Sequence, residues 1–362
     1  MTGPGQGGAV GGTDETRERG AGPVRAYLGS FTSAGGRGVL AADVDPATGG
    51  LTVTGGTDAV ADPSYLTLAG GVLYAVSETD PGAVAALDPE GPAPRPLGAP
   101  VPVGGSGPTH LSVAAGHLLT AHYTSGSVSV LPLAADGTPG PVTAVLHHEG
   151  SGPVADRQAG PHAHQILPDP SGRWVLSVDL GTDSVRVCAL DPATGALRPH
   201  GETTLRPGYG PRHLAFHPDG GHLYVVGELE PAVTVCRWDA ERGEPTPLAE
   251  IPLADTDGAG PAYPSAVVVA PDGRFLWVAV RGTDTLAVLV LSPAGDEAIR
   301  SATVSCGGSW PRDLALDPSG RRLYAANERS GDVTWFDVDP ETGTPVRAGS
   351  VEVPAVTCVV FG

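Results

Sequence analysis

Apolar residues in this chain come in short runs bounded by turn signals, not along helical stripes. The segment HQILPDPSGRWVLSVDLGTDSVRV, from His164, reads as strand, PSG turn, strand, polar turn and third strand. Short apolar runs between Pro, Gly, Asp and Ser are strand signals, and breakers this dense exclude long helices. RHLAFHPDGGHLYVVGELEPAVTV from Arg212, SAVVVAPDGRFLWVAVRGTDTLAV from Ser265 and RDLALDPSGRRLYAANERSGDVTW from Arg312 repeat the order. Degenerate copies start at Ser64 and Thr109, and a one-strand copy, AVTCVVFG, starts at Ala355. Pro63, Pro108, Pro211, Pro264, Pro311 and Pro354 precede six of the seven copies, with Ala163 before the other. The starts step by 45, 55, 48, 53, 47 and 43 residues. A period near 48 with three or four strands per unit fits a β-propeller blade.

The last copy lacks its outer strands, and the chain begins with what is missing: VRAYLGSFT, GVLAADVDP and GLTVTGG. The predicted fold is all-β: a seven-bladed β-propeller over residues 25–362, its ring closed by N-terminal strands that complete the C-terminal blade. Closure removes the exposed edges of an open array. Blades bury their faces only against neighbours, so this is one domain. Residues 1–24 read as a flexible Gly-rich tail without the apolar core of a secretory signal.

Composition sharpens this picture. Gly and Pro number 53 and 37 of 362 residues, a share that borders on low complexity, yet 40% of the chain is hydrophobic and can fill a core. All 21 basic residues are Arg, against 40 acidic ones, for a net charge of −19. Without Lys, Schiff-base chemistry, a pyridoxal-phosphate anchor and a Walker-type loop are excluded. No basic stripe suggests nucleic acid, and no apolar run suggests a membrane span. Cys188, Cys236, Cys306 and Cys358 form no CxxC pair and read as buried free thiols. The expectation is a cytoplasmic monomer that needs no cofactor or metal.

The repeat also exposes positions that differ between copies. The first residue of each unit is Ser64, Thr109, His164, Arg212, Ser265, Arg312 or Ala355. Sixteen residues on stand Leu180, Glu228, Arg281 and Glu328, with Glu78 and Tyr123 added by looser alignment. Innermost strands run along a propeller's channel, so both sets should converge on one mouth. Charges near a low-dielectric centre either pair or bind something. Arg–Glu pairs tying blades together would be the structural outcome; three Arg on separate blades also suit an oxyanion ligand. The loop HEGSGPVADRQAGPHAHQ, from His148 to Gln165, concentrates His148, Glu149, Arg157, Gln158, His162 and His164. Dense titratable groups over a channel mouth mark a site candidate, although a solvated surface loop would look similar. His162 and His164 share a strand face, but spacing supplies no third metal ligand and the Arg neighbours would repel a cation. His110, His213 and His217 read as structural.

With these residues in view, the chain resembles the seven-bladed lactonase family, which includes propeller-type 6-phosphogluconolactonases; the same superfamily holds carboxymuconate-lactonizing cycloisomerases. The matching stretches are YLGSFT, LYAVSE, HEGSG…RQAGPHAHQ, GYGPRHLAFHPDG, GELE, VRGTD and WPRDLALDPSGRRLYAANE. The resemblance implies an active site at His164, Arg212, Glu228 and Arg281, with Arg312 nearby. Glu328 departs from the Gln common in relatives, and Pro231 from a more flexible polar residue. The implied activity is hydrolysis of a sugar lactone, foremost 6-phosphogluconolactone. Glu228 or His164 would be general base, Arg212 would stabilise the oxyanion, and Arg281 and Arg312 would hold the anion. His162, Glu78 and Tyr123 would contact substrate. No GxSxG elbow points to an acyl-enzyme. The alternatives are a muconate-type cycloisomerase and a non-catalytic propeller scaffold, the latter favoured by Arg–Glu pairing that leaves no cavity.

Overall fold

The computed structural model describes residues 24–253 and 260–362. The tail expected over residues 1–24 lies, except for Val24, outside the described residues. Seven antiparallel sheets form the ring: six of four strands, and one of five in which Arg95–Pro96 and Val101–Pro102 share the outer edge. The inner strands are Leu66–Ala69, Pro108–Ala114, Ala163–Pro168, Pro211–Phe216, Tyr263–Val269, Pro311–Leu316 and Val356–Phe361. They define blades one to seven in chain order. The single helical element described is the short 3-10 turn Thr32–Ala34.

Closure follows the sequence expectation. Arg25–Ser30 pairs antiparallel with Val356–Phe361, with Ala26 opposite Phe361 and Gly29 opposite Cys358. The strands Val39–Val44 and Leu51–Thr57 then complete blade seven. Each blade is apolar on both faces, and clusters of buried side chains lie between neighbours. One joins Tyr224, Val226 and Val235 of blade four to Leu276, Val278 and Leu289 of blade five. A repeated aromatic residue also stitches adjacent blades by donating to a turn carbonyl. Tyr74 reaches Gly137, Tyr224 reaches Gly295, Trp277 reaches Gly343 and Tyr324 reaches Gly49, each at 2.8 Å. The polar end of each buried ring is thereby satisfied where its apolar body fills the core.

One irregularity recurs at the axis. In blade three, Ala163 pairs with Asp179 and Gln165 with Val178, so His164 is an extra, unpaired residue. Arg212 and Arg312 occupy the same bulge in blades four and six, and Thr109 occupies it in blade two. A bulge re-aims a side chain without ending the sheet. In blade seven the register shift falls at Thr357, not at Ala355. The alignment that put Ala355 in the first ring is therefore corrected by two residues. The one-strand copy carried no second half to set its register.

Candidate active site

The bulges place side chains in two layers. Thr109, His164, Arg212 and Arg312 line a cavity of about 210 Å³ with Glu78, Tyr123, Arg157, Glu228 and Arg281. One residue further along the inner strands, Tyr65, His110 and His213 pack against one another. Tyr65 and His110 have ring centroids 4.3 Å apart, His110 and His213 5.7 Å, and His213 and His164 5.2 Å. Burial, with Arg212, lowers His110 to about 3. Burial alone lifts the Asp313 carboxyl to about 6. His110 and His213 are buried beside His164 and do not line the cavity. His217 sits in a turn beside Asp219.

Glu228 is the hub of the site. It follows the strand His222–Gly227, and a side chain at Gly227 would collide with the Tyr209 ring and the Glu230 carbonyl. Its Oε2 lies 3.0 Å from Arg212 Nε and 2.8 Å from Arg281 Nη2, and its Oε1 accepts from Arg157 Nη2 at 2.7 Å. Burial would raise this carboxyl, but Arg281, Arg212 and Arg157 overcome that and hold it at about 2. The contact to Arg212 Nε is an ion pair without hydrogen-bond alignment. Arg212 donates from Nη1 to the Ser265 carbonyl at 2.7 Å. Burial and Arg281 press Arg212 down to about 9, which leaves it charged at neutral pH. Arg281 donates to the Tyr263 carbonyl at 3.2 Å and lies 5.5 Å from the Trp310 ring centroid.

Arg312 is placed differently. Expected to clamp an anion, it is already claimed by Glu328 at 3.3 Å and Glu78 at 3.5 Å, and it packs 5.0 Å from the Phe31 ring centroid. Burial opposes its charge, but Glu78 and Glu328 outweigh that and raise it. Pairing of this density is what a scaffold would show, yet an open cavity remains beside it.

His164 stands between the two arrangements. Burial, followed by Arg212, Arg312 and Arg281, drives its imidazole well below the usual value, so the ring is neutral at pH 7. Its Nδ1 is sealed from solvent without a partner. Its carbonyl accepts from Thr109 Oγ1 at 3.1 Å. Tyr123 lines the cavity with its ring edge-on to His164. His162 stacks on the Tyr123 ring at 4.4 Å between centroids and does not line the cavity. Leu180 of the second ring is buried and turned away from it.

The loop over residues 148–162 is tied down at three points. Asp179 accepts from His148 Nδ1 at 2.6 Å and from the His162 amide at 2.8 Å. Asp183, in the left-handed region at φ 53°, accepts from Gln158 Nε2 at 2.7 Å. The same carboxylate takes the amides of Gly208 at 2.7 Å and Gly210 at 2.8 Å, just before Arg212. These bonds carry Arg157 to the cavity. Repeat alignment could not place Arg157, because the loop is an insertion; its polar composition and the RQ of the stretch that resembles the lactonase family were the signals. Phe31 and Trp310, which pack under two arginines, were not singled out as site residues, although YLGSFT and WPRD contain them.

Comparison with known proteins bears on the fold and the family. The family described as "Lactonase, 7-bladed beta-propeller" matches residues 25–361. The 6-phosphogluconolactonase of Bacillus subtilis is 33% identical over 343 residues, which cover 92% of this chain and 97% of that protein. The structure of the Pseudomonas aeruginosa periplasmic gluconolactonase PpgL superposes with a TM-score of 0.87 at 30% identity, covering 94% of this chain and 99% of the other. A protein of Lactobacillus plantarum has a TM-score of 0.89 at 30% identity, covering 94% and 99%. Fold and sequence thus converge, and the chain belongs to the seven-bladed β-propeller lactonase family.

Proposed function

We propose that the protein hydrolyses a sugar lactone, foremost 6-phosphogluconolactone to 6-phosphogluconate, in the cavity around His164. One observation carries the reading: a neutral imidazole whose buried Nδ1 has no hydrogen-bonding partner, beside an excess of fixed guanidinium groups. Lactone opening needs a base for water and charge stabilisation for the tetrahedral oxyanion. Glu228 has both oxygens engaged by arginines, which makes it the holder of Arg212 and Arg281 and leaves His164 as base. Nε2 of His164 takes a proton from water as the oxygen adds to the lactone carbonyl. Arg212 faces the oxyanion. Collapse breaks the ring C–O bond, the departing alkoxide takes the proton back from His164, and the product acid ionises. The names of the relatives support the substrate class.

The four cysteines are free and buried, as a reducing compartment would keep them, and we place the reaction in the cytoplasm. Among the described residues no helix is long and apolar enough to cross a membrane. The test is a panel of lactones, with 6-phosphogluconolactone and a muconolactone side by side and the spontaneous rate subtracted. Hydrolysis of the sugar lactone, lost in Arg212→Ala, is expected. Turnover of the muconolactone alone would replace this reading with a cycloisomerase.

A further inference from the structure

Three of the four arginines at the cavity are committed. Arg212 and Arg281 are fixed by Glu228 and by backbone carbonyls, and Arg312 is held between Glu78 and Glu328. Arg157 differs on each count. It sits on the loop at the mouth with its side chain 32% exposed. A single nitrogen, Nη2, makes both its bonds, to Glu228 Oε1 at 2.7 Å and to Tyr123 Oη at 3.3 Å. Its Nε and Nη1 make no hydrogen bond to the described residues. Nη2 belongs to both bidentate edges of the planar fork and is occupied, so the free N–H groups are offered to an anion as separate charged donors.

Charge points the same way. Arg157, Arg212 and Arg281 outnumber Glu228, so this half of the cavity attracts a dianion. Glu78 and Glu328 outnumber Arg312, so the other half repels one. Placement is also prepared in advance. Gln158, next in the chain, is fully buried and bonded to Asp183 and to the Leu180 carbonyl, so Arg157 needs little ordering on binding.

We propose that Arg157 is the residue that reads the phosphate of the substrate, its free Nε–H and Nη1–H groups donating to phosphate oxygens at the mouth. The inference rests on the lactonase reading above. In 6-phosphogluconolactone the phosphate is carried on an exocyclic arm, on the ring carbon joined to the carbonyl carbon through the ring oxygen. With the carbonyl set against His164 and Arg212, this arm is free to lie toward the mouth and Arg157.

The test compares kcat/KM for 6-phosphogluconolactone with that for gluconolactone in wild type, Arg157→Ala, Arg157→Lys and Arg312→Ala. Calorimetric binding of inorganic phosphate is measured on the same proteins. Arg157→Ala should lower the phospho-to-unphosphorylated ratio roughly 10- to 100-fold and weaken phosphate binding, with Lys restoring part of both. Arg312→Ala should leave the ratio within about threefold, because Glu78 and Glu328 already take up its charge. An unchanged ratio in Arg157→Ala, or its collapse in Arg312→Ala, overturns the assignment while leaving lactone hydrolysis standing. A wild type that opens neither lactone above the spontaneous rate overturns the functional reading instead. In that case phosphate binding that Arg157→Ala abolishes upholds the anion site, and binding it leaves intact overturns it.

Discussion

The two halves of the cavity use the same two residue types in inverted proportion. Around Glu228, three arginines share one carboxylate; around Arg312, two carboxylates share one guanidinium. The first half holds a carboxyl at about 2 and carries excess positive charge. The second stabilises its Arg and carries excess negative charge. An Arg count alone would have made both halves anion sites. Which partner is in surplus decides where an anion rests, and His164 between them is kept neutral by burial and by arginines from both.

Removing the hub should break this contrast most severely. Glu228→Ala leaves three arginines facing one another, two of them buried, and should cost about 3–5 kcal/mol of stability in denaturant melts. Glu228→Gln keeps the shape and tests the charge alone: turnover should fall although the fold persists by circular dichroism. A Gln variant with full turnover would show that Glu228 does not organise the arginines. His164→Gln should lower kcat by roughly 10²- to 10⁴-fold, with little change in melting because Nδ1 has no partner to lose.

The pH profile sharpens the comparison further. The folded imidazole is depressed below its ordinary 6.5, so protonation, and with it the acid loss of kcat/KM, should come well below pH 6.5. A bound anionic substrate offsets the arginines, so the acid limb of kcat should lie at higher pH than that of kcat/KM. The same depression links to stability. An unfolded chain takes up a proton near 6.5 that the fold resists, so His164's contribution is present above that value and lost as pH falls below it. The smallest effect belongs to the acidic half. Glu78→Gln with Glu328→Gln should lower KM for the phosphorylated lactone by about threefold, and a rise in KM would contradict the charge argument.

Much of this was legible in the sequence because repeats provide their own control. Positions that stay apolar across copies are core, and those that vary at the axis stand out. His164, Arg212, Arg312, Glu228, Arg281, Glu78 and Tyr123 were found that way, and the structure brings all of them to one cavity. The bulge that aims them was not legible, since a gap-free alignment hides a residue without a pairing partner. Thr357 was missed for a related reason: one strand offers no register. Arg157 lies in an insertion that no other copy matches. The partners of Arg312 depend on which side chains can reach across the axis, from Glu78 in blade one to Arg312 in blade six, and spacing along the chain does not encode that distance.

The central claim is that His164 opens a lactone in this cavity. Its most direct test is a phosphorus NMR time course of 6-phosphogluconolactone with wild type and His164→Gln, spontaneous hydrolysis subtracted. The account predicts rapid conversion to 6-phosphogluconate by wild type and a rate near the spontaneous one for the variant. Equal rates for the two proteins would contradict it.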